Sequence, residues 1–132
     1  RLYAKKTETS IYVCMHASTE ALRKVHPREH AFEGLPIPPS GADAEGGGKW
    51  INRCDDFITV HRYTQSETEW MYTEVHVKKV KETETGGRPT FLNNPVKFLL
   101  NNGTQFLCAG KNALEIDTVG IQSSNLQPNT EF

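Results

Sequence analysis

Residues 17–48, ASTEALRKVHPREHAFEGLPIPPSGADAEGGG, constrain this chain more than any other stretch. Pro36, Pro38 and Pro39 fall within four residues, and Gly46, Gly47 and Gly48 close the segment. Proline removes a backbone donor and fixes φ, and glycine loses the most conformational freedom on ordering, so neither suits the interior of a helix or strand. A span this long with little regular structure is uncommon in a compact domain unless it is functional or mobile. It also divides the chain, with one apolar run before it and several strand-like runs after it.

The run before it is SIYVCMH, residues 10–16, almost wholly apolar and ending in a histidine. Such runs read as buried strands, often parallel and covered on both faces. RLYAKKT, residues 1–7, reads as the last turns of a helix already under way, which suggests a piece of a longer chain. After the glycines, GKWINRC (48–54) predicts a short helix and DFITVHRY (56–63) a second buried strand. TQSETE (64–69) is a polar loop leading into a third strand, MYTEVHVKKVK (71–81). ETETGGRPTFLNNP is a loop, and PVKFLLN and TQFLC, with Asn-Asn-Gly between them, predict a hairpin around 95–108. From Ala109 onward periodicity is weak and the end is polar, so residues 109–132 are expected to be a partly disordered tail. The expected fold class is α/β: strands of a mostly parallel sheet, followed by antiparallel hairpins that extend one edge.

The 132 residues suffice for one modest domain. The net charge of −1 argues against a bulk polyanion binder. The charge is uneven, however: residues 1–30 carry six Lys/Arg against three Glu, and residues 78–81 carry three Lys and no acid. Local basic patches on a near-neutral protein suit a site. Cys14, Cys54 and Cys108 are odd in number and widely spaced, which is not a disulfide framework and points to a reducing compartment. There is no apolar run approaching a membrane span and no signal peptide, so a soluble intracellular protein is the default expectation.

In a parallel sheet, sites lie at the carboxyl ends of strands. His16 ends the first expected strand and Arg62 the second. In the third, period-two alternation puts Val75, Val77, Lys79 and Lys81 on one face. The two lysines then stand roughly 6–7 Å apart, a spacing that suits one phosphate chain. The same pattern fits a charged, solvated edge, and pattern alone favours that plainer reading. Gly46–Gly48 before a short helix resembles a phosphate-cradling loop. No Ser or Thr follows Lys49, however, and Asp43 and Glu45 would oppose a phosphate, so no Walker A loop is present. His26 and His30 have the spacing of two metal ligands on a helix, but Pro27 interrupts the helix and no third ligand is evident. Cys14 and His16 share a face and read as core. Asp55-Asp56 reads as a helix end or strand opening before it reads as a Mg²⁺ site.

Several of these features occur together in one known family. An apolar strand ending in His, a long variable loop, a Gly-rich turn with a short helix, then NRCDDFITVHR and VHVKKVKETETGG follow in order. This order resembles the C-terminal half of the RecA-type ATPase domain of hexameric replicative DNA helicases: bacterial DnaB, phage primase-helicases and Twinkle-like proteins. The resemblance covers about residues 1–108, and NRCDDFITVHR with VHVKKVK is its most specific part.

The resemblance implies a partial RecA-like domain, with the P-loop and Walker B acid in a preceding half, so that this piece alone is inactive. It implies an ATP-dependent helicase translocating on single-stranded DNA as a homo-oligomeric ring, a hexamer, with ATP and Mg²⁺ as cofactors. It would work in the cytoplasm of a bacterial host, with phage or mobile-element origin. By the same resemblance His16 matches the γ-phosphate sensor, and Arg62 the arginine that packs on the nucleotide base. Lys79 and Lys81 match the cations that reach a neighbour's γ-phosphate. Phe98 falls near the base-sandwiching aromatic, and Arg23, Lys24 and Arg28 lie in the DNA loop. Lys81 stands where relatives carry an arginine finger and offers only a point charge, so Arg88 is the substitute candidate. The alternatives are a RecA-type recombination or replication accessory ATPase that binds DNA without unwinding it, and a non-catalytic β-rich binding module.

Overall fold

A computed structural model describes residues 2–115. Its centre is one five-stranded sheet in the order β1-β2-β3-β4-β5, in which every pair is antiparallel. The strands are β1 (Phe57–His61), β2 (Tyr72–Lys79), β3 (Val96–Asn101), β4 (Gln105–Cys108) and β5 (Lys111–Asn112). Among the described residues three short α-helices accompany them, α1 (Leu2–Thr7), α2 (Lys49–Arg53) and α3 (Thr83–Gly86), with two 3-10 turns at Ala21–Arg23 and Gly41–Asp43. No described helix is long and apolar enough to cross a membrane.

This corrects the expected α/β, mostly parallel RecA-like sheet. The reason lies in the connections. Only residues 62–71 join β1 to β2, fewer than the dozen or more that a parallel crossover needs. A β-rich pattern with links this short folds as a meander. Residues 10–16 are not a strand either. They have no regular structure, with Ile11, Tyr12 and Val13 at 58%, 89% and 58% exposure. An apolar run becomes a buried strand only where neighbouring strands accept its hydrogen bonds, and none does among the described residues.

The hairpin around 95–108 is present. Asn101 pairs with Gln105, and Asn102 and Gly103 both take positive φ, the backbone hand that matches strand twist in a tight turn. β4 turns into β5 through Ala109 and Gly110, again both at positive φ. That places β5 inside the stretch expected to be tail; residues 116–132 of that tail lie outside the described residues.

One irregularity repositions a lysine. Phe57 pairs with Lys79 but the next residue, Ile58, pairs with Val77, so Lys78 is an extra residue in β2, a β-bulge. Phe57 and Ile58 belong to opposite faces, and Lys79 therefore lies on the face opposite Val77. The alternation that would put Val75, Val77, Lys79 and Lys81 together breaks at Lys78.

The sheet's two faces differ. Thr59, His61, Glu74 and His76 lie on one face, and the segment 17–48 covers it. Thr59, Glu74 and His76 are buried there. The covering contacts are specific: the Thr59 hydroxyl donates to the Pro39 carbonyl at 2.9 Å, and Phe32 stacks on Tyr63 with ring centroids 4.3 Å apart. The other face carries Ile58, Val60, Val75, Val77, Val96, Phe98 and Phe106. Ile58 and Val60 are 54% and 65% exposed. Among the described residues the buried apolar side chains are Ala21, Ala44 and Tyr63.

Candidate functional site

The cations expected at one site stand apart. Arg62 follows β1 at the end where His61 pairs with Glu74, whereas Lys79 pairs with Phe57 at the other end. Five residues of extended chain separate those ends by roughly 16 Å. The Arg62 guanidinium donates to the Trp70 carbonyl at 2.9 Å, bracing the β1–β2 connection. His16 lies on the extended segment before the long loop. Its carbonyl accepts from the Glu45 amide at 3.0 Å, and its exposed side chain touches none of the other candidates.

Lys79 is committed internally. Its ammonium donates to the Ile51 carbonyl at 2.6 Å and the Cys54 carbonyl at 2.9 Å. These are terminal carbonyls of α2, which have no partner within the helix, and a cation is favourable at that end of the dipole. Lys81 sits 3.3 Å from the Asp55 carboxylate and 4.0 Å from Glu82. The hollow it borders, about 270 Å³, is lined by Asp55, Asp56 and Glu82 as well, an acidic setting that repels a phosphate. Arg88, the substitute finger, lies over the Phe91 ring at 4.8 Å. Phe98, which pairs with Thr73, lines an open groove of about 370 Å³ with Thr73, Phe106 and Leu114 on the uncovered apolar face.

These residues do not fit a shared ATP site as arranged. Nor does any group of three or more His, Cys, Asp or Glu stand ready for a metal ion among the described residues. His26 and His30 do meet, but face to face: their rings stack at 4.1 Å with 9° between planes. His26 Nε2 bonds the Tyr63 hydroxyl at 3.0 Å and His30 Nδ1 accepts the Phe32 amide at 3.1 Å. Stacked rings direct their nitrogens outward in parallel instead of converging on one ion.

The proposed DNA-contact residues all lie on the 17–48 segment. Arg23 and Arg28 are exposed and have no acidic partner among the described residues. Lys24 is held by Asp43 at 2.6 Å. Asp43 also caps the turn at Gly41–Asp43 by accepting from the Ser40 amide and hydroxyl. The Lys24 contact first, and the Ser40 bonds next, hold the Asp43 carboxyl down at about 2.

Apart from His26, a second cluster lies outside the residues that the sequence singles out. Where the segment 24–39 meets the sheet, His26 joins His61, Tyr63, Glu74 and His76 in one buried to half-buried polar group. The His61 ring meets Tyr63 edge-on at 4.6 Å. His76 Nε2 is 3.0 Å from one Glu74 oxygen, and Lys97 Nζ is 3.3 Å from the other. Lys97 also reaches Glu69 at 2.9 Å. Burial pushes His26, His61 and His76 below the ordinary histidine value, and burial first, with Glu74 and Glu69 behind it, pushes Tyr63 up to about 12. For Lys97 burial works downward, but Glu69 and Glu74 outweigh it and the net direction is up. The signal available in the sequence was period two: Thr59 and His61 on one strand, and Glu74 and His76 on the next, alternate with valines and isoleucine.

Comparison with protein-family models, curated proteins and solved structures returns no match for this chain.

Proposed function

We propose that this chain supplies the DNA-contacting segment of an ATP-driven ring helicase that moves along single-stranded DNA. The structural observation that supports the reading is the pair Arg23 and Arg28. Both stand exposed on a long irregular segment without an acidic partner among the described residues. Two unpaired guanidinium groups on an open loop suit backbone phosphates, which are recognised by charge and without regard to sequence. The order of motifs from SIYVCMH to VHVKKVK supports the assignment to a helicase. ATP, Mg²⁺ and the ring of copies rest on that resemblance alone, and no hydrolytic step is assigned to residues whose arrangement does not fit a nucleotide.

A second reading, a non-catalytic β-rich binding module, is favoured by one observation: Lys79 and Lys81 are engaged by carbonyls and carboxylates of their own chain.

The test is binding of a fluorescent oligo-dT strand across a salt series. The wild-type chain should bind with a negative log–log salt slope, and Arg23→Ala/Arg28→Ala should flatten it by about 1.4, near 0.7 per phosphate contact. Absence of wild-type binding at low salt, or an unchanged slope in the double variant, removes the DNA-contacting role.

A further inference from the structure

The segment 24–39 is seated on the sheet's polar face by contacts that place imidazole rings where a positive charge is poorly accommodated. His61 bonds the Pro36 carbonyl with one ring nitrogen, while its Nε2 is buried without any hydrogen-bond partner. In the tautomer that donates to Pro36, Nε2 carries only a lone pair. A proton added there creates a buried N–H with no acceptor, together with a charge removed from water. His26 bonds Tyr63 and lies flat against His30, so protonating both rings stacks two cations at 4.1 Å.

We propose that residues 24–39 form an acid-released latch, seated while His26 and His61 are neutral and lifted from the sheet when they take up protons.

The surrounding charges have been placed by the fold so that little relieves this. From the segment itself come His26 and His30; from β1 and its end, His61 and Tyr63; from β2, Glu74, His76 and Lys78; from β3, Lys97; and from the β1–β2 connection, Glu69. Glu74 is the one buried carboxylate among the described residues, and it favours a cation at His61 and His26. Its two oxygens are already engaged by His76 and Lys97, however, and Glu69 is engaged by Lys97. His76 opposes charge on His61, Lys78 opposes it on His76, and His30 opposes it on His26. The rings thus titrate below 6.5 when the latch is seated and at about 6.5 when it is free. The free form binds more protons between those values. Seating is therefore fully favoured above about pH 6.5 and weakens progressively as pH falls below it.

The experiment is nuclear Overhauser contact between the segment and the sheet in the 132-residue chain, followed from about pH 7.5 to about pH 5. The Phe32–Tyr63 and Thr59–Pro39 contacts should vanish across this range while cross-strand contacts between β2 and β3 persist. His61→Leu, which removes the orphaned nitrogen, should move the loss lower by about half a pH unit or more; His26→Phe serves the same purpose if the leucine variant does not fold. Persistence of the Phe32–Tyr63 contact at the acid end in the wild type overturns the latch. So does simultaneous loss of latch and sheet contacts, or an unshifted midpoint in the variant that folds.

Discussion

The two faces of the sheet invert the usual relation between polarity and cover. The face under residues 17–48 carries Thr59, His61, Glu74 and His76, and it is the buried one. The opposite face carries Ile58, Val60, Val75, Val77 and Val96, and at β1 it lies open. On the covered face, cohesion comes from geometry: a hydroxyl on a carbonyl, an imidazole on a phenol, a carboxylate between an imidazole and an ammonium. On the open face the same strands contribute surface whose transfer from water has not been used. Local cohesion in this chain is thus concentrated where polar groups are satisfied, and apolar character alone does not reveal it.

The contrast breaks most visibly at Tyr63, which belongs to the covered side at 4% exposure. Tyr63→Ala removes a ring held by Phe32, His26 and His61 and should cost about 3 kcal/mol, read from the urea midpoint. Tyr63→Phe, which deletes only the bond to His26, should cost about 1 kcal/mol. Equal costs for the two would mean that the hydroxyl, not the stacked ring, holds the segment. Lys79→Met should be intermediate at about 1–2 kcal/mol, because two carbonyls of α2 lose their donor. Circular dichroism and Trp50 fluorescence should then report a loosened helix, and a variant as stable as wild type would show that water replaces the ammonium at no cost. The smallest effect belongs to the open face: Val60→Ser should change stability by less than about 0.5 kcal/mol. A loss several times larger would show that Val60 is covered in solution.

Much of the local architecture is legible in the residues. The alternation in 57–61 and 72–79 marks strands, Asn-Asn-Gly marks a tight turn, and glycines at 46 and 47 with φ of 90° and 75° precede a short helix. The sheet's direction was legible too, in the shortness of residues 62–71, but an apolar run reads the same in a parallel and an antiparallel setting. Residues 10–16 depart from the expected strand for a related reason: hydrophobicity reports suitability for burial and not the presence of neighbours. The candidate site was the least legible. Lys79 and Lys81 look alike in sequence, yet one extra residue at 78 directs the first to α2, and three acids claim the surroundings of the second. Partners such as Asp43 for Lys24, or Pro39 for Thr59, are 19 and 20 residues away and follow no local period.

The bulge at Lys78 also acts as a parity switch. A strand numbered in twos has odd and even sides, and one surplus residue exchanges them for everything that follows. Were Lys78 instead drawn into the regular ladder, Lys79 would pass to the valine side and the end of α2 would lose its ammonium. A single step of register, with no change in chemical character, thereby decides which side of the sheet carries that charge.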